Sequence, residues 1–241
     1  MSLLILIQAR EGGTRLPGKI KADLGTPPGV SMLAHVCARA NQLGPFIVAF
    51  PGPQEKEDDV LSRFSRIVRA NPDADAICRI TADCPLLDVG VGAYVINLYR
   101  ERQNHLDFVG TAPEMDGLDV EVFSRTALMM ADLNAKGRYA REHPTHWIRQ
   151  NLGALLVSLV DRPLRWSVDD QRGLDFVRDV YRTCEHCAQA IPYHTNAGGS
   201  IGGGDRQLVI DLHQVADGGL AECQAADLKR SRMGGHVYHS A

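Results

Sequence analysis

Aromatic residues are scarce in this chain, at 6% of 241 residues, and no apolar run approaches the roughly 18 residues that a membrane-crossing helix needs. The apolar opening, Leu3 to Ile7, also lacks the charged lead and small-residue cleavage site of a secretory signal, so the sequence predicts a cytoplasmic protein with no membrane partner. Six cysteines, at 37, 78, 84, 184, 187 and 223, are too sparse and too often set among apolar neighbours to form a disulfide framework. Excess positive charge is absent as well. The 26 Lys and Arg stand against 29 Asp and Glu, a net charge of −3, which excludes the basic field that a nucleic-acid backbone requires. Any anion recognition is therefore local.

With 44% hydrophobic and 23% charged residues, the chain has ample material for one core. Leu3 to Ile7 reads as a buried parallel strand running straight into Gln8, Ala9, Arg10 and glycines. Ser31 to Leu43 has helical spacing with Ser31 as N-cap, and Phe46 to Phe50 reads as a second strand. After a polar loop at 51–57, Val60, Leu61, Phe64, Ile67 and Val68 form a helical stripe, and Ala76 to Ile80 is a third strand. Further on come a helix at 89–103, strands near Phe108 and Val120, helices at 126–136 and 143–151, and a strand at 154–160. Strands alternating with helices predict an α/β fold with a mostly parallel central sheet. The last 45 residues, 197–241, hold nine of the 23 glycines and one clear strand at 207–212, so they read as a Gly-rich extension, an oligomerisation arm, beyond a main domain over 1–196.

The densest chemistry lies at strand ends, where open α/β sheets bind ligands. Residues 10–19, Arg-Glu-Gly-Gly-Thr-Arg-Leu-Pro-Gly-Lys, suit a polyphosphate. Gly12, Gly13 and Gly18 let amide groups approach anionic oxygens, while Arg10, Arg15 and Lys19 supply cations. Gly13 to Lys19 also satisfies half of a P-loop, but Ile20 stands where the magnesium-binding hydroxyl belongs. Asp83, at the end of the third strand, and Asp169, at the end of another apolar run, are candidate ligands for one Mg²⁺ ion; each is equally an acid that caps a turn or helix start. Asp119 and Glu121 would share one strand face, and Arg141, His143, His146 and Arg149 gather cations and donors enough for a small acid. The Cys184 and Cys187 pair has half the spacing of a zinc or redox motif without a second half, and reads as structural.

Taken in order, Gln-Ala-Arg-Glu-Gly-Gly-Thr-Arg-Leu-Pro-Gly-Lys at 8–19, Arg-Ile-Thr-Ala-Asp-Cys-Pro-Leu-Leu-Asp at 79–88, Gly-Leu-Asp-Val-Glu-Val-Phe-Ser at 117–124, Arg-Glu-His-Pro-Thr at 141–145 and Arg-Trp-Ser-Val-Asp at 165–169 resemble the cytidylyltransferases of spore-coat polysaccharide and acid-sugar activation. A related enzyme of phosphonate biosynthesis acts on phosphonoformate. The resemblance spans residues 2–180 and implies a Rossmann-like nucleotidyltransferase domain, CTP as donor, magnesium as cofactor and a homodimer. It places the nucleotide on Gln8, Ala9, Arg10, Gly12, Gly13, Thr14, Arg15, Lys19 and Asp83, with the metal on Asp83 and Asp169. Arg10, Lys19, Asp83 and Asp169 become the catalytic set, and Asp119, Glu121, Arg141, His143 and Arg165 face the acceptor. Two departures stand out: only residues 51–57 remain where the family has another helix and strand, and Gly173 replaces a second acid, which passes duty to Asp170. The acceptor implied is a small anion, an acid sugar or a phosphonate such as phosphonoformate, and the compact middle of the chain favours the phosphonate. A non-catalytic nucleotide-binding module and a nucleotide-sugar-dependent glycosyltransferase stay open as alternatives.

Overall fold

The computed structural model describes residues 1–12, 15–183 and 236–239. Seven strands form the central sheet: β1 (Leu3–Gln8), β2 (Phe46–Ala49), β3 (Ala76–Thr81), β4 (Phe108–Thr111), β6 (Val120–Ser124), β7 (Ala154–Ser158) and β9 (His236–His239), in the order β2-β1-β3-β6-β4-β7-β9. Two short strands, β5 (Met115–Asp116) and β8 (Leu164–Arg165), pair as a separate parallel ribbon.

β1 pairs parallel with both β2 and β3, as the buried aliphatic runs predict. β6 runs antiparallel between β3 and β4. Its direction follows from chain length, since the stretch from Thr111 to Val120 is too short for the dozen or more residues of a crossover. β4 and β7 are parallel, so five of the seven strands point one way, and β6 and β9 are reversed. The fold is α/β, as the alternation of patterns implies.

The helices are α1 (Met32–Leu43), α2 (Val60–Ala70), α3 (Val89–Arg102), α4 (Arg125–Asn134), α5 (Arg138–Glu142), α6 (His146–Asn151) and α7 (Gln171–Thr183). Ser31 caps α1 by accepting from the Ala34 amide at 3.3 Å, and Asp59 caps α2 through Ser62 at 3.0 Å. α1, α3 and α7 cover one face of the sheet around Ile5, Ile7, Cys78 and Ile80; α2, α4 and α6 cover the other around Leu6, Ile77, Phe108 and Phe123. The helix expected over 143–151 begins only at His146, because Pro144 removes an amide donor and disfavours helix at His143, and a separate short helix, α5, precedes it. The expected strand at 207–212, the Cys184/Cys187 pair and Gly13 and Thr14 lie outside the described residues. No helix among the described residues is long and apolar enough to cross a membrane.

Candidate active site

A cleft of about 260 Å³ opens over the carboxyl ends of β1 and β3 and is lined by Gln8, Arg10, Arg15, Lys19, Arg63 and Arg79 on its cationic side. Asp83, Glu142, His143 and Asp169 complete its charged and titratable lining.

Lys19 is the centre of one end. Gly18 holds φ +69°, a left-handed conformation that glycine adopts without penalty, and from it the chain enters a 3-10 turn over Lys19–Lys21. That turn aims the Lys19 ammonium inward, where it donates to Asp83 Oδ2 at 2.9 Å and to the Val168 carbonyl at 2.7 Å, and lies 3.7 Å from Asp169 Oδ1. Arg15 reaches the same Asp169 oxygen at 3.0 Å. The Val168 amide donates to the Asp83 carbonyl at 2.8 Å, so the two acid-bearing segments are tied backbone to backbone. Burial opposes the charge of Asp83, but the Lys19 ammonium outweighs it and holds the carboxyl below the usual carboxylate range. The sequence thus brings Lys19, Asp83 and Asp169 from three separate segments to one point.

At the other end Arg10 faces Glu142 at 3.4 Å. The Gly12 amide donates to Glu57 Oε1 at 2.8 Å, which ties this loop to the 51–57 segment. Arg63 is fully buried; its guanidinium donates to the carbonyls of Ala9 and Ala49, both at 3.4 Å, and of Glu57 at 2.7 Å, binding β1, β2 and the 51–57 loop together. Arg79 donates to Gln8 Oε1 at 2.8 Å and to Glu121 Oε2 at 2.5 Å, and the Thr145 hydroxyl donates to Glu121 Oε1 at 2.9 Å. Burial, reinforced by the nearby Arg79 charge, lowers the pKa of His143.

Several residues expected at the acceptor site have other partners. Arg141 does not line the cleft: it joins the Asp59 carboxylate at 2.9 Å to Asp132 at 3.1 Å, tying α5 to α2 and α4. Arg165 lines a second depression with Asp170 and Arg172, which meets the cleft only at Asp169. Asp119 precedes β6 and accepts from the Gly117 amide at 3.0 Å and the Cys84 thiol at 3.3 Å, with burial raising its pKa. Glu121 lies in β6 as the partner of Arg79. Asp170, expected to take over an acid's duty, accepts from the Gly173 amide at 3.0 Å as a helix cap. Arg63, Arg79 and Thr81 were not expected in the cleft. Two of them carried a legible signal, an arginine inside an otherwise apolar helix stripe and another inside an apolar strand.

A sheet of mostly co-directional strands, with a basic loop after β1 and two carboxylates gathered on its lysine, defines a nucleotide-binding α/β enzyme. Residues 47–172 match the family model described as cytidylyltransferase, and the chain belongs to that family. It is 30% identical over 181 residues to the uncharacterized protein MJ1063 of Methanocaldococcus jannaschii, covering 68% of this chain and 73% of that one. It is 26% identical over 213 residues to the spore coat polysaccharide biosynthesis protein SpsF of Bacillus subtilis, covering 75% and 86%. Among solved structures, a cytidylyltransferase from Leptospira borgpetersenii superposes with TM-score 0.67 at 21% identity, over 82% of this chain and 100% of that chain. A CMP:2-keto-3-deoxy-manno-octonic acid synthetase complexed with CTP superposes with TM-score 0.56 at 16% identity, over 76% and 99%. The chain is a CTP-dependent nucleotidyltransferase.

Proposed function

We propose that the enzyme transfers CMP from CTP to a small anionic acceptor and releases pyrophosphate, with a phosphonate such as phosphonoformate favoured over an acid sugar. The observation that carries the reading is the convergence of Lys19 and Arg15 on the Asp83 and Asp169 carboxylates beside the glycine loop. An acceptor oxygen attacks the α-phosphorus, the bond to the bridging oxygen of pyrophosphate breaks, and the departing oxygen takes the electron pair. Lys19, Arg15 and Arg10 are the cations placed to balance the growing charge, and rigid placement of such groups supplies most of the catalysis in reactions of this type. A phosphonate oxygen is already ionised and needs no base, whereas a sugar hydroxyl must lose its proton.

Asp83 and Asp169 fit a magnesium ion, since both are partly exposed oxygen donors within reach of one ammonium, and Mg²⁺ pairs one or two carboxylates with phosphate oxygens and water. Bound there, the ion would neutralise phosphate oxygens. The acting unit of this proposal is a domain over 1–196 with an extension over 197–241 that supports a homodimer; the pairing of β9 on β7 supports a role for the extension in completing the sheet. Pyrophosphate release, measured with each nucleoside triphosphate against a panel of phosphonates and acid sugars, tests the reading. Release with CTP and phosphonoformate is expected; release with acid sugars alone would reassign the acceptor.

A further inference from the structure

Arg79 is the fourth residue of β3, set between the fully buried Cys78 and Ile80. Burying a guanidinium in a strand is costly unless each of its edges has a use. Two edges are accounted for: Nε donates to Gln8 and Nη1 to Glu121, which is itself held by Thr145. Burial opposes the charge, but the Glu121 carboxylate outweighs it and raises the pKa, so the group stays cationic. Nη2 has no hydrogen-bond partner among the described residues and is not enclosed, and the side chain lines the cleft. His143, whose ring senses the Arg79 charge, lines the same cleft.

The other cations of the cleft are committed elsewhere. Arg63 is spent on three backbone carbonyls, Arg10 faces Glu142, and Arg15 and Lys19 stand on the acids expected to take the metal. Arg79 is paired with none of those acids. It is a guanidinium locked on two sides with its third edge open, and a donor fixed in advance loses little entropy when an anion docks on it.

We propose that Arg79, with His143 beside it, is the receptor for a carboxylate on the acceptor, held next to the attacking oxygen. The inference rests on the cytidylyl-transfer reading and narrows it. Phosphonoformate and an acid sugar differ in nucleophile, a phosphonate oxygen in one and a hydroxyl in the other, but each carries a carboxylate bonded directly to the atom that bears the attacking oxygen. A carboxylate docked on Nη2 would leave that neighbouring oxygen free for the phosphorus, and an alcohol or phosphonate without a carboxylate would be poorly held.

The test is calorimetry on the full chain saturated with Mg²⁺ and a non-hydrolysable CTP analogue. The probes are phosphonoformate against methylphosphonate, and 3-deoxy-manno-octulosonate against its methyl ester. In the wild type at least one acid should bind tenfold or more tighter than its carboxylate-free partner. Arg79→Lys should shrink that preference, and Arg79→Met combined with Glu121→Gln should abolish it, with affinity for the CTP analogue kept within twofold. The double variant avoids stranding a buried Glu121 charge and so separates loss of binding from loss of folding. The inference is overturned if neither pair shows a carboxylate preference, if the preference survives in the double variant, or if the variants lose CTP-analogue affinity instead. Wild-type protein that binds a carboxylate through Arg79 but releases no pyrophosphate from CTP would instead sink the transferase reading.

Discussion

At the residue scale the site depends on a single ammonium that reads two acids. Lys19→Met should lower kcat about 100-fold or more, the usual consequence of removing one placed charge from a reacting phosphate or oxyanion. Asp83→Asn should lower activity and raise the magnesium concentration needed for half-maximal rate, with little change in thermal midpoint. Steady-state pyrophosphate release against magnesium concentration checks both. Gly18→Ala would force a left-handed φ on a Cβ-bearing residue, costing roughly 1 to 2 kcal/mol, and would turn Lys19 away from the cleft.

Polarity and position made Lys19, Asp83 and Asp169 legible in the sequence: Lys19 closes the basic glycine loop that follows the first strand, and each acid sits where an apolar run stops. Arg141, Arg165 and Asp119 take partners or positions that the sequence does not reveal, because spacing along the chain says which residues are near, but not which partner they choose. Arg141 found two carboxylates on α2 and α4 that no local pattern links to it. Glu142, its neighbour, faces Arg10 across 132 positions of sequence.

At the scale of elements, the turn after β3 is held from behind. The Tyr181 hydroxyl of α7 donates to the Pro85 carbonyl at 2.9 Å, and Arg39 of α1 donates to the Leu87 carbonyl at 3.0 Å and to the Tyr181 oxygen at 3.3 Å. All three bonds are buried, and they brace the turn that begins at Asp83. Tyr181→Phe should therefore cost about 1 to 2 kcal/mol in stability, measured by urea unfolding, and raise the magnesium requirement as the turn loosens. An unchanged magnesium requirement would make Tyr181 a packing residue only.

His35 lies against Tyr181, ring centres 4.6 Å apart, fully buried and without a hydrogen-bond partner among the described residues. Burial, helped by the Arg39 charge and opposed by Asp23, lowers its pKa from 6.5 to about 4. The unfolded chain therefore binds a proton below pH 6.5 that the folded chain refuses, and stability should fall from pH 6.5 toward 4, by roughly 3 kcal/mol in full. His35→Leu should flatten that share of the slope; urea midpoints at pH 7.5 and 5 decide it.

At the scale of the whole molecule, the alternation of patterns was enough to assign the class and the helical faces, whereas the reversed β6 and the β5–β8 ribbon were not foreseen. The first depends on the short link from β4, the second on a pairing of Met115–Asp116 with Leu164–Arg165 across β6, β7 and three helices, and composition carries no record of either. β9 pairs Val237 with Val157 and His239 with Leu155 at the sheet edge. Truncation after residue 235 should speed amide hydrogen exchange in β7; unaltered protection there would show that the pairing contributes nothing to the sheet.

The central claim is cytidylyl transfer through the cleft at Lys19, Asp83 and Asp169. Its most direct test is pyrophosphate release by wild type and Asp83→Asn with CTP, UTP, ATP and GTP, magnesium and the acceptor panel. Acceptor-dependent release with CTP in the wild type, lost in a folded Asp83→Asn protein, is the predicted result; equal release in the variant, or release with every nucleotide irrespective of acceptor, would contradict the account.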